Sequence, residues 1–175
     1  MTSVPPDVLE LPGEPPAHLR ALTGRDWLLE VALSRVPDVP RWTHYPPGMS
    51  EEQARERAAR SAERRAEGVG ARYVVLSDGV PAGTAGIGAL RTDRPEVFYS
   101  LLPAGRGRGL ATRAAAALAA WALGAGYPQV ALLTLPGNAA SEAVARRAGF
   151  VESVEETVED GRVVRVWTCV GRQGR

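Results

Sequence analysis

The sequence predicts an α+β domain on one mixed, twisted β-sheet of about seven strands, with helices on both faces. Three observations predict it. Apolar segments joined by Asp78-Gly79, and again by Asp160-Gly161, read as antiparallel hairpins. A strand at residues 96–102 passes through a Gly- and Arg-rich turn into an alanine-rich helix at 109–125, and then into a second apolar run at 130–135. That succession is a crossover, expected to be right-handed and to make the two strands parallel. Two helix-start signatures, Thr23 with Asp26 and Ser50 with Gln53, precede the first hairpin.

The length of 175 residues suits one core. A net charge of +1 gives no reason to expect nucleic acid or an acidic membrane surface as a partner. The single cysteine, Cys169, excludes an internal disulfide. His18 and His44 lie far apart, so no metal is expected. The start of the chain has neither a basic segment nor an apolar run, and no stretch approaches the ~20 apolar residues of a membrane span. A cytoplasmic protein is expected.

Residues 1–16 hold five prolines and read as a flexible, loose or extended lead-in to a single domain at 17–170, with a polar tail at 171–175. Residues 18–22 form a first strand, and the helix starting after Thr23 runs to about Ser34. The proline-rich segment 36–49 gathers Trp42, His44 and Tyr45 and reads as a stiff loop, the best candidate for a wall of an acceptor site. Residues 51–67 contain five Glu and five Arg, many three or four apart, and stop at Gly68. They predict a solvated helix laced by its own ion pairs. Strands at 72–77 and 80–90 form the first hairpin, the second bearing Gly83, Gly86 and Gly88, where a neighbouring backbone or ligand can come close. Asn138 caps a short helix stopped by Gly149, and strands at 150–159 and 162–170 close the chain. Trp27, Trp121 and Trp167 read as core, and Cys169 as a small buried residue.

The chemistry gathers at Arg106-Gly107-Arg108-Gly109-Leu110-Ala111, which satisfies R-x-x-G-x-A between a strand and a helix. Such a turn collects unpaired N–H groups at the positive end of a helix dipole and so forms an anion site, with Arg106 and Arg108 adding charge. It is neither the dinucleotide fingerprint nor a P-loop. On the strand, Glu96, Phe98 and Ser100 share one face, and Val97, Tyr99 and Leu101 the other.

Residues 96–150 resemble the GNAT superfamily of acyl-CoA-dependent N-acyltransferases, and within it the branch that acetylates the N-termini of ribosomal proteins. That branch reads approximately Y-W-L-x-P-x-x-R-G-x-G-x-A, then N-x-x-S and G-F. The matching residues are Tyr99-Ser100-Leu101-Leu102-Pro103, residues 106–111, Asn138 with Ser141, and Gly149-Phe150. Asp38-Val39 with Trp42, and the glycine-bearing third strand, extend the likeness over residues 17–170.

The resemblance implies a GNAT-like fold with splayed central parallel strands and acetyl-CoA as co-substrate. It implies that the N–H groups from Arg106 through Gly107, Arg108, Gly109 and Leu110 to Ala111 bind the pyrophosphate. Backbone groups of Leu101 and Leu102 pair with the pantetheine, and Asn138 bonds the cofactor arm. Glu96 takes the position of a catalytic glutamate. The family's thiolate-protonating tyrosine is replaced here by Ala145, and Ser141 is the substitute, directly or through water. The amine must be neutral to attack, whereas a lysine-type amine has a pKa of ~10.4 and an α-amine ~7.7–8.0, so a base or water chain is required. The expected partner is an amine-bearing small molecule or a protein N-terminus, with a homodimer left open. The alternatives are an antibiotic- or polyamine-type amine acetyltransferase and a catalytically silent CoA-binding module.

Overall fold

Residues 4–171 are described by the computed structural model of the protein. Its eight strands are β1 (Val8–Leu11), β2 (Ala17–Ala21), β3 (Ala71–Ser77), β4 (Val80–Gly88), β5 (Glu96–Leu101), β6 (Gln129–Thr134), β7 (Val151–Thr157) and β8 (Val163–Val170). Its α-helices are α1 (Trp27–Ser34), α2 (Asp38–Trp42), α3 (Glu51–Ala66), α4 (Leu110–Gly124) and α5 (Ala139–Arg147). The strands lie in one sheet in the order β1-β2-β3-β4-β5-β6-β8-β7. Every pairing is antiparallel except β5–β6, which the α4 crossover makes parallel. No helix among the described residues is long and apolar enough to cross a membrane.

Two cores cover the two faces. Tyr73, Val75, Ile87 and Val97 pack with Leu110, Ala114 and Leu118 of α4 on one side. Val74 packs with Leu29, Leu33, Val39, Ala54 and Ala58 of α1–α3, and with Met49 of the loop before α3, on the other. Local chemistry places the helices: both capping boxes form, Thr23 with Asp26 and Ser50 with Gln53. Asp78 and Gly79, at φ 52° and 76°, make the tight turn between β3 and β4.

Several expectations are corrected. The lead-in contains a strand, so the sheet has eight rather than about seven. Val8–Leu11 pairs with β2, and Arg113 of α4 clasps its far end by donating to the carbonyls of Leu11, Pro12, Gly13 and Pro15. The proline-rich segment holds a short helix, α2, because Pro40 falls in its first turn, where no N–H is needed. The arginines of α3 pair little within their own helix: Arg55–Glu51 is the one ion pair within it among the described residues, at 3.4 Å. Arg57 reaches Glu30 and Arg65 reaches Asp7 instead. Of the tryptophans expected in the core only Trp167 is fully buried, and Cys169 is half-buried, its thiol pKa raised by burial.

Candidate active site

The site begins where the sheet divides. β5 and β6 are in register only at Glu96↔Ala131 and Val97↔Leu132. Beyond Val97, β5 stays with β4 up to Leu101 while β6 follows β8. The Ala131 N–H donates to Pro95 O at 2.8 Å, so by strand alternation the odd-numbered residues of β5 turn their backbone groups toward β6. Past the split, the N–H groups of Tyr99 and Leu101 face the gap. Leu102 does not share this role: its N–H donates to Ala82 O and its carbonyl accepts from Gly105 N, both at 2.9 Å. The carbonyl of Leu101 is also taken, by the Arg106 guanidinium at 3.1 and 3.2 Å.

Below the gap lies the turn into α4. Gly107 and Gly109 have φ of 72° and 71°, and Gly109 caps the helix without offering a side chain. Among the described residues, none of the N–H groups of residues 107–112 meets a protein acceptor. The Arg106 N–H is excluded from this set because it donates to Pro103 O at 3.2 Å. The arginine side chains also depart from expectation. Arg106 forms two hydrogen bonds to Asp38, at 2.8 and 2.9 Å, and this guanidinium holds the Asp38 carboxyl below its ordinary pKa. Arg108 turns away to Asp78 at 2.6 Å. Unpaired amides, rather than guanidinium charge, therefore dominate the electrostatics of this turn, and Arg147 lines the cavity beside it.

A cavity of ≈490 Å³ runs from Gly107, Gly109 and Ala111 to Tyr99, Ser100, Asn138 and Ser141. A second, of ≈650 Å³, opens on the α1–α3 side and reaches the same Tyr99, Ser100, Asn138 and Ser141. Asn138 caps α5 by accepting from Ser141 N at 3.2 Å, which leaves its amide N–H groups for the cavity. The Tyr99 hydroxyl is buried beside Ser141 without a hydrogen bond of good geometry. Burial pushes its pKa up to about 12, with Ser141 pulling weakly the other way. Ala145, where the family's tyrosine stands, is fully buried in the α4-side core. Sequence reasoning gave Tyr99 no role beyond the motif match, since strand alternation set it on the face opposite Glu96; the division of the sheet places it in the wall of both cavities.

Glu96, Phe98 and Ser100 line the larger cavity from one face of β5, as their alternation requires. The ring of Phe98 lies over Gly86, where an added Cβ would come within 2.5 Å of it. Burial raises the Glu96 pKa; Arg94 lowers it, Glu156 raises it and His44 lowers it. Trp42 lines both cavities. His44 meets Arg162 of the β7–β8 turn at 2.8 Å, bridging the mouth of the larger cavity. Tyr45 also lines this cavity and is buried, its hydroxyl 2.7 Å from Arg72 and 3.2 Å from Thr84.

Two cavities share one wall, one ending at a helix start with unpaired N–H groups and the other lined by a half-exposed carboxylate, an arrangement suited to group transfer. The chain belongs to the GNAT acetyltransferase family, whose Acetyltransferase (GNAT) domain matches residues 17–151. It is thus an acetyl-CoA-dependent N-acetyltransferase. A comparison with curated proteins finds no match. Among solved structures, a RimL ribosomal L7/L12 α-N-protein acetyltransferase in complex with coenzyme A superposes with a TM-score of 0.81 at 18% identity, covering 95% of this chain and 100% of that one. The microcin C7 self-immunity acetyltransferase MccE, in complex with acetyl-CoA and AMP, gives 0.81 at 14% identity, over 97% and 99%. The aminoglycoside acetyltransferase AAC(6')-Ib, in complex with coenzyme A, gives 0.75 at 18%, over 90% and 95%. At these identities the likeness is one of fold.

Proposed function

We propose that the protein transfers the acetyl group of acetyl-CoA to a primary amine, of a small molecule or a protein N-terminus, by direct attack within a ternary complex. The observation that carries this reading is the meeting of two cavities at Tyr99, Ser100, Asn138 and Ser141, where β5 and β6 part. The N–H groups of residues 107–112 hold the pyrophosphate, the free edge of β5 at Tyr99 and Leu101 pairs with the pantetheine, and Asn138 bonds the same arm. The acceptor amine enters from the larger cavity. Its nitrogen bonds to the thioester carbon as the C–S bond breaks. Glu96 takes the amine proton, directly or through water, and its raised pKa makes it a better base than an ordinary carboxylate. Tyr99 and Ser141 return a proton to the departing thiolate.

The test is thiol release from acetyl-CoA with a panel of amines, run beside calorimetry of CoA binding. Turnover with at least one primary amine supports the reading. CoA binding without release for any amine points to a silent binding module.

A further inference from the structure

The larger cavity is strongly asymmetric in charge. Arg57, Arg60, Arg64, Arg72 and Arg162 line it, against Glu96 as the one lining carboxylate. Two more carboxylates pair with these arginines. Glu30, fully buried, serves both Arg57 at 3.1 Å and Arg72 at 2.9 Å. Asp160 serves Arg162 at 2.7 Å. One carboxylate shared by two guanidiniums leaves that cluster a positive charge in excess, with Arg57 stacked 4.3 Å over the Tyr45 ring. Arg72 Nε and Glu30 Oε1 are both buried without a hydrogen bond of good geometry, so pairing inside the cluster is incomplete on both sides. Arg60 and Arg64 follow Arg57 along α3 at helical spacing. Among the described residues neither has a carboxylate within 4.0 Å, although Glu56 and Glu63 stand near enough in sequence to have paired with Arg60. Arg60 and Arg64 are both exposed, and cations aligned on one helix face repel one another. A bound anion relieves that repulsion.

We infer that the acceptor is a small primary amine that also carries an anionic group, a carboxylate or a phosphate ester, which the Arg57–Arg60–Arg64–Arg72 wall receives while the amine lies toward Glu96. This deepens the reading given above and rests on it. Row alignment supports such a division of the cavity: Arg72, Gly86 and Phe98 lie abreast across β3, β4 and β5, and Glu96 stands two residues from Phe98 on the same face. The His44–Arg162 bridge across the mouth and the volume of ≈650 Å³ suit a small molecule. Polycationic amines meet the wrong sign of charge along this wall.

Matched pairs test it: phosphoethanolamine against ethanolamine, γ-aminobutyrate against butylamine, and spermidine as the polycation, each at saturating acetyl-CoA. The expected result is a kcat/KM at least about tenfold higher for the anionic member of one pair. That ratio shrinks in raised salt and falls toward one in the Arg60→Gln/Arg64→Gln variant. The pair showing the preference separates phosphate from carboxylate. Ratios near one, or a preference for spermidine, overturn the inference while leaving acetyl transfer standing. Calorimetry of the same compounds on the CoA-bound protein gives an independent readout: without turnover, tighter binding of the anionic members upholds the anion site and removes only the proposed reaction. Equal binding, or none, overturns the anion site as well.

Discussion

Arg106 and Asp38 hold each other through two hydrogen bonds of 2.8 and 2.9 Å, so the guanidinium nearest the amide-rich turn is already neutralised. The pair joins α2 to the end of β5, because the same guanidinium donates to Leu101 O. Arg106→Ala is therefore expected to lower CoA affinity by less than about tenfold, the equivalent of ~1.4 kcal/mol, as measured by calorimetry. Both side chains are substantially exposed, so Asp38→Asn is expected to cost only ~0–1 kcal/mol of stability. The sign with pH follows from the lowered Asp38 pKa: the contribution is present above the ordinary carboxylate range and is lost as pH falls through the lowered value. Chemical denaturation across a pH series checks it, the variant and parent converging as the pH falls below the ordinary carboxylate range.

Gly109→Val separates backbone strain from collision. An added Cβ meets no protein atom nearer than Arg113 Cδ at 4.0 Å, but φ of 71° disfavours any β-branched residue. The expected stability loss is ~1–3 kcal/mol, short of unfolding. CoA affinity is expected to fall by well over about tenfold, because the change reorients amides that have no other acceptor. Unchanged affinity in calorimetry would remove the turn from the donor site.

What the sequence carried was local. Capping boxes, the Asp-Gly hairpins and the strand–turn–helix of β5 and α4 need only neighbours in the chain to declare themselves, and they lie within a residue or two of their expected positions. What escaped depended on distant partners. β1 hides among prolines and becomes a strand only beside β2, with Arg113 holding its end from about a hundred residues away. Spacing along α3 suggested internal ion pairs, whereas Arg57 and Arg65 find Glu30 and Asp7 across the fold. The location of the candidate site was legible at Glu96, Asn138, Ser141 and the glycine turn. The arginine wall of the larger cavity was not, because Arg57, Arg60 and Arg72 come together only when α3 lies across β3.

Glu30 is the point on which that wall depends. It is fully buried between Arg57 and Arg72, and Glu30→Ala leaves two guanidiniums without their shared carboxylate. A loss of ~3–5 kcal/mol is expected in urea denaturation. The double replacement Glu30→Ala/Arg72→Met is expected to recover part of it, since it also removes one of the orphaned charges.

Glu96→Gln tests the base. With a raised pKa, Glu96 in the parent enzyme places an acid limb on kcat/KM above the range of an ordinary carboxylate, and the variant loses that limb. The loss of rate is expected to be deepest below the amine's own pKa and to shrink as the amine becomes neutral in solvent. Stability runs in the opposite sense. A carboxylate whose pKa is raised on folding favours the fold below its unfolded pKa and loses that benefit as pH rises through the folded value. The variant is accordingly expected to gain on the parent in melting temperature between pH 4 and pH 8. A pH–rate profile identical to the parent's would exclude Glu96 from the proton path.

Tyr99→Phe isolates the proton that the thiolate receives. The hydroxyl it removes is buried and has no hydrogen bond of good geometry, so the fold loses nothing it used, and the melting temperature is expected to hold or rise slightly. CoA affinity is expected to hold as well, since backbone amides and Asn138 carry that binding. The turnover number is the quantity that changes. A positioned proton donor contributes ~10²–10⁴-fold in general; a thiolate is a modest base, which places the expected fall in kcat near the lower end of that range. With a pKa of about 12 the phenol stays protonated throughout the working range, so the fall is expected to be uniform in pH, unlike that of Glu96→Gln. Ser141→Ala keeps the helix cap, because Asn138 bonds the backbone N–H of that residue rather than its hydroxyl. If the two hydroxyls serve one proton path, the double variant Tyr99→Phe/Ser141→Ala falls no further than the more damaging single change. Multiplying losses would instead give the two residues separate tasks, and a Tyr99→Phe enzyme with full kcat would leave protonation to Ser141 or solvent.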